Sequence, residues 1–285
     1  PVMKEIKMES KMLRFVVILI FVWGIASISP SNLNAASDNT ICMYNMAGQA
    51  VFTLLRGIIQ GKVKSFKDVA KSLFYGSAAG YGFYEAKKMI GKGHVTTGVI
   101  LANLSASVCE NVSTGFHPLA YIGYNIGPAQ IKVATPFAKK PQATFHVSVT
   151  PAELITFFYS MKKAKRVSFR NGLITFTANE RISENSLGWT IGQYPTILSD
   201  TPDYVFNHEA IHVVQHLQML SISPEMFMSY KSEESNYKKS LFHFSGLRMN
   251  VVGSLTNMVF YRFQSYKSNW LEIEAYNFAT NETSE

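Results

Sequence analysis

The chain has 285 residues, of which 47% are apolar and only 16% charged; that balance excludes a disordered chain and permits a sizeable core. The net charge of +8 favours anionic surfaces without specifying a function. The basic clusters Lys139-Lys140 and Lys162-Lys163-Ala164-Lys165-Arg166 are short and read as solvated ends of elements, so the sequence carries no nucleic-acid-binding signature.

At the N-terminus, Lys4, Lys7, Lys11 and Arg14 precede an apolar run from Phe15 to Ile28, which Ser29-Pro30-Ser31 breaks before the small residues Ala35-Ala36. A basic start, a short apolar middle and a small-residue exit form a secretory signal peptide. The run is shorter than the ~20 residues that a membrane span requires. The expectation is an exported protein (periplasm, envelope or extracellular space) with the segment 1–36 removed near Ala36; retention of that segment as an anchor is the alternative. In an exported chain the two cysteines, Cys42 and Cys109, either form one disulfide or remain two buried thiols.

Residues 37–115 read as a helical region with candidate helices at Met46–Ile59, Phe66–Lys88 and Val95–Val108. The stretch Gly76-Ser77-Ala78-Ala79-Gly80 lets a second helix approach closely, because small residues remove the side chains that keep backbones apart. These helices form a layer that could also contact a membrane surface. Residues 116–285 read as the second region. Strand signals begin with Leu119–Val133, continue with the alternating Thr144–Val149, and are interrupted at Pro151 by a short helix that Thr150 can cap. Arg166–Arg170, the dipeptide Asn171-Gly172 and Leu173–Ala178 predict a tight hairpin, since Asn-Gly supplies the positive φ angles of a type I′ turn. Trp189–Leu198 reads as one further strand, and helical patterns return after Asp203 and dominate the end. Helices, then antiparallel strands, then helices define an α+β class.

The chemistry concentrates at residues 206–218, Phe-Asn-His-Glu-Ala-Ile-His-Val-Val-Gln-His-Leu-Gln. His208 and His212 lie four residues apart, about 40° around a helix axis, so both imidazoles reach one ion. Glu209 is displaced by about 100° and can reach a water on that ion without ligating it. Two neutral imidazoles suit Zn²⁺, which in catalytic sites takes a third protein ligand and keeps one position open. His216 extends the series by four residues and is read as buried beside the site rather than as a ligand. The third ligand is sought in Trp270-Leu271-Glu272-Ile273-Glu274-Ala275-Tyr276-Asn277-Phe278-Ala279. On a helix Glu272 and Glu274 stand about 200° apart, so one of them faces the metal and the other is expected in solvent. Tyr261, Tyr266 and His243, between the two motifs, are read as core residues, the alternative being a hydrogen-bond donor to a tetrahedral oxyanion; a fourth ligand from His216 or His243 would mark a structural metal.

The pattern His208-Glu209-x-x-His212, followed sixty residues later by Glu272-x-x-Ala275-x-x-Phe278-Ala279, resembles that of the gluzincin peptidases. It is similar to the HtpX-like and CAAX-prenyl-protease peptidases and to the ImmA/IrrE type, over these two helices alone. The resemblance implies a zincin-like fold and a zinc metallopeptidase acting on a peptide or protein substrate. It implies His208, His212 and Glu272 as the metal ligands and Glu209 as the catalytic carboxylate. Tyr276 stands where those families often carry Asp or Asn. Two other readings are a non-enzymatic envelope protein with a structural or vestigial metal site and a membrane-associated binding module.

Overall fold

The computed structural model describes residues 37–138, 145–149, 151–180, 187–222, 242–247 and 270–280. The segment 1–36, Thr150, Tyr261, Tyr266 and the side chain of His243 lie outside that description. Among the described residues there are six helices and two four-stranded sheets, an α+β architecture. No described helix is long and apolar enough to cross a membrane.

Three long helices come first: α1 (Asp38–Ile59), α2 (Phe66–Gly91) and α3 (Val95–Ser113). The start of α2 is written locally. The Ser65 side chain accepts from the Asp68 amide, and the Asp68 carboxylate accepts in return from the Ser65 amide, which satisfies two amides that have no partner inside the helix. The small-residue centre of α2 acts as expected, because a Cβ at Gly80 would sit 2.3 Å from the Asn45 carbonyl oxygen of α1 and one at Gly76 2.7 Å from the Ala50 Cα. A side chain at either position would force the two helices apart.

The first sheet has the order β1 (Tyr121–Ile126), β2 (Ala129–Ala134), β3 (Phe145–Val149) and β8 (Phe242–Leu247). After β3 comes α4 (Pro151–Lys163), followed by the second sheet, β4 (Arg166–Arg170), β5 (Leu173–Ala178), β7 (Tyr194–Leu198) and β6 (Gly188–Ile191) in spatial order. The β4–β5 turn is the expected one, with φ of 51° at Asn171 and 84° at Gly172. Three features depart from the sequence reading. Trp189–Leu198 is not one strand but a hairpin, turned at Gly192 with φ of 63°. The strands are not all antiparallel, since β3 pairs with β8 and β5 with β7 in parallel. Residues 242–247 form a strand inside a stretch expected to be helical. Period-two alternation marks a strand but does not name its neighbour, and both parallel pairs join segments distant in the chain.

The two sequence regions share one core. Phe83 and Ile90 of α2 and Val99 and Ala102 of α3 cluster with Phe206, Ile211, Val214 and Leu217 of α5 (Asp203–Ile222), and with Ala275 and Phe278 of α6 (Trp270–Thr280). Apolar residues are buried all round α5, as in a helix surrounded by other elements. Cys42 and Cys109 are free thiols, and Cys109 accepts a hydrogen bond from the Gln49 amide.

A buried ion pair crosses this core. Lys87 Nζ of α2 donates to Glu274 Oε1 of α6 at 2.7 Å, with both side chains 1% exposed. The Asn45 amide of α1 donates to the same oxygen at 2.7 Å, and Lys87 also donates to Asn45 Oδ1 and Gln218 Oε1. Burial pushes the Lys87 amine below its ordinary range, while the charge of Glu274 and the hydrogen bond to it act in the opposite direction. Glu274 therefore corrects the expectation that one of the two carboxylates on this helix faces solvent: α1 and α2 cover that side. Lys87→Met would leave a buried carboxylate without its cation. The expected loss is about 3–5 kcal/mol of folding stability, read by chemical denaturation against the unaltered chain. A loss under about 1 kcal/mol, the level of an exposed ion pair, would contradict a buried pair.

Candidate metal centre

The helix α5 begins after Pro202 with Asp203 in its first turn, where an acidic side chain complements the unpaired amides and the helix dipole. Two turns further in it presents His208 and His212 toward α6. Their Nε2 atoms lie 3.2 Å apart, and Glu272 Oε2 lies 3.4 Å from His208 Nε2 and 3.5 Å from His212 Nε2. All three residues are buried. Among the described residues these three form the group of side chains able to hold a metal ion.

The dimensions of this triangle can be compared with a metal site. Ligand atoms about 2.0–2.1 Å from a tetrahedral centre are about 3.4 Å from one another, and the observed edges are 3.2, 3.4 and 3.5 Å. Glu272 Oε2 is buried without a hydrogen bond, although buried carboxylate oxygens are normally satisfied. Its distances to the imidazoles exceed those of a charge-assisted hydrogen bond and suit a shared ion. Two nitrogens and one carboxylate oxygen are donors that fit zinc and other divalent transition metals.

The protein also sets the histidine tautomer. The Gln215 side-chain nitrogen donates to Glu274 Oε2 at 2.8 Å and to the Leu271 carbonyl at 2.9 Å. Both partners only accept, so the Gln215 oxygen must be the atom 2.7 Å from His212 Nδ1. His212 therefore carries a proton on Nδ1 and aims Nε2 at the triangle, as metal-binding imidazoles are usually held. The order Lys87, Glu274, Gln215, His212 connects the N-terminal helices to the centre.

Burial tends to discharge the His212 imidazole. The adjacent Glu272 carboxylate and the charge of Glu209 outweigh burial and lift His212 to about 9. Burial raises the Glu272 carboxyl, but the two imidazoles of His208 and His212 beside it hold it at about 2. For Glu209 burial prevails and pushes the carboxyl above its ordinary range, while the two imidazoles and Thr190 offset only part of the rise.

Glu209 sits beside the triangle and points to β6. Thr190 Oγ1 donates to Glu209 Oε2 at 2.7 Å. A Cβ on Gly188 would lie 3.0 Å from Glu209 Cγ and 3.1 Å from Oε1, so the absent side chain there makes room for the carboxylate. Tyr276, one helical turn after Glu272, lies with its ring centroid 4.5 Å from that of His208 and is 47% exposed. It forms a solvent-facing wall of the centre. His216 points elsewhere, into a short buried contact with Glu153 of α4, whose other oxygen accepts from the Gln193 amide at 3.3 Å.

The structure thus brings His208, His212, Glu209 and Glu272 to one place. Sequence reasoning missed Thr190, Gln215 and the part played by Glu274 with Lys87. Gln215, three residues after His212 on the same helix face, was the one with a readable spacing. No family model, no curated protein and no solved structure matches this chain.

Because Gln215 holds His212 Nδ1, Gln215→Leu should weaken zinc affinity about 10–100-fold, as loss of a group orienting a ligand does, whereas Glu272→Ala should remove stoichiometric binding. Calorimetric titration reads both, and equal effects would contradict Glu272 as a ligand and Gln215 as the group that orients His212. The raised His212 value predicts a pH dependence. The proton on His212 stabilises the metal-free protein below the ordinary histidine value, and that contribution is lost as pH rises through about 9. Zinc binding at pH 7 should therefore release a proton, and apparent affinity should climb until about pH 9. A pH-independent affinity between 7 and about 9 would contradict it.

Proposed function

We propose that the protein is a zinc-dependent metallohydrolase of the gluzincin kind that cleaves peptide bonds. The observation that carries this reading is the triangle of His208, His212 and Glu272 ligand atoms, with edges of 3.2, 3.4 and 3.5 Å, beside the buried carboxylate of Glu209. These three residues would hold the metal. Zinc, when bound in such a site, acts as a Lewis acid and lowers the pKa of a water to about 7.

The chain's own residues supply the rest. Glu209 accepts the proton of the attacking water and returns it to the leaving amine. Its Oε2 is held by Thr190, which leaves Oε1 to exchange the proton. The outer edge of β6 stands at the end of its sheet, so an extended substrate can add there as a further strand and pass beside Glu209. What supports catalysis over a structural metal is the number of ligands. Among the described residues three ligands come together, which leaves one position for a reacting group, whereas structural zinc sites are closed by four. His216 is engaged by Glu153 and does not close the site. Export with removal of the segment 1–36 belongs to the same reading, and sequencing of the N-terminus of the mature protein checks it: a first residue near Ser37 agrees, an intact Phe15–Ile28 segment does not.

The central test is Glu209→Gln. The variant should keep about one zinc per chain while hydrolysis of an unfolded protein substrate drops about 10²–10⁴-fold, the contribution of a positioned general base. Full hydrolysis by a zinc-loaded Glu209→Gln variant would remove Glu209 from the reaction. Absence of hydrolysis in the zinc-loaded unaltered protein across unfolded substrates would favour a structural metal.

A further inference from the structure

The helix α4 is built inside out. Its inward positions include Glu153, bound to His216, and the buried Ser160. Phe157 anchors it, with ring contacts to Phe176 and Tyr194 of the second sheet at 5.6 and 5.5 Å. Its outward positions are apolar: Ile155 is 70% exposed, Phe158 53% and Tyr159 50%, with Leu154 and Met161 also exposed. These five side chains cover an arc of about 160° of the helix. A surface helix normally shows the opposite arrangement.

The adjoining strand continues the surface. Val167 and Phe169 of β4 stand opposite Phe176 and Ile174 of β5. Directly paired residues share one face of a sheet, so Val167 and Phe169 lie on the face that α4 packs against through Phe176. Both are exposed, Phe169 at 65%. The basic cluster Lys162, Lys163, Lys165 and Arg166 lies between the helix and the strand, and all four residues are exposed. No acidic residue occurs from Leu154 to Arg170.

We propose that α4 and β4 form a docking surface for an anionic lipid bilayer, with α4 lying in the headgroup region. The charge selects this occupant. An apolar helix face with flanking lysines and arginines gains from hydrocarbon contact and from anionic headgroups together. A symmetric pairing of two copies through the same face would set the two basic clusters against each other. With 13 residues, α4 is too short to span a membrane and rests on its surface. The surface stands apart from the metal centre, and its test is independent of hydrolysis.

Hydroxyl-radical footprinting of the full-length protein, read by mass spectrometry, tests it. Vesicles of phosphatidylcholine with phosphatidylglycerol should reduce oxidation of Phe158, Tyr159 and Met161 several-fold. Pure phosphatidylcholine vesicles should reduce it much less, and high salt should restore it. Lys162→Gln with Lys163→Gln should weaken the anionic-vesicle effect roughly tenfold or more, at about fivefold per basic residue. Unchanged oxidation of these three side chains with anionic vesicles would overturn the proposal. So would protection of the exposed Phe66 and Phe74 of α2 in their place, which would move the contact to the N-terminal helices. Low oxidation in the free protein that rises on dilution would assign the surface to a second copy and overturn it equally.

Discussion

The buried ion pair between Lys87 and Glu274 is the contact on which the remaining geometry rests. Two charges have left water, a step that costs several kcal/mol per ion unless hydrogen bonds replace the hydration shell. Here Asn45, Gln215 and Gln218 provide them. The pair and its partners come from four helices, so it is satisfied only when α1, α2, α5 and α6 are all in place. The same carboxylate that answers Lys87 turns Gln215, and Gln215 turns His212. The N-terminal helices are thereby coupled to the metal-binding atoms through three consecutive side-chain contacts.

A second constraint sits at the other end of these contacts. His208, His212 and Glu272 are three buried polar groups beside the apolar core, and Glu272 Oε2 makes no hydrogen bond. A sequence selected for stability alone would replace such a group by a well-packed apolar one. Departures of this kind from an otherwise consistent core mark functional sites, and the edge lengths say what kind of group would satisfy this one. Glu209 completes the contrast: it is buried beside the triangle but turned to β6 and bound by Thr190.

The helix of the two histidines and the helix of Glu272 were legible in the sequence because both signals are local. A four-residue histidine spacing is sufficient to place two imidazoles on one side of α5, whereas helical geometry left Glu272 and Glu274 open and only the resemblance to gluzincin peptidases favoured Glu272. The position of Glu274 was not legible. Helical geometry shows that it points away from Glu272, but whether water or protein lies there depends on α1 and α2, more than 180 residues earlier in the chain. The strand β8 and the two parallel pairings were hidden for the same reason, since partners distant in the chain leave no local pattern. The hairpin at Gly192 was concealed because Trp189–Leu198 is apolar on both sides of its turn. Likewise the sequence shows a short helix at Pro151 but not which of its sides the protein covers.

The whole account depends on which atoms bind the metal. Zinc K-edge X-ray absorption spectroscopy on the purified full-length protein measures that shell directly. It should show two imidazole nitrogens and a carboxylate oxygen at about 2.0–2.2 Å, completed by one further light atom, with no sulfur. A sulfur scatterer at about 2.3 Å, a shell of three or four imidazoles, or a protein that takes up no stoichiometric zinc would contradict a centre built from His208, His212 and Glu272.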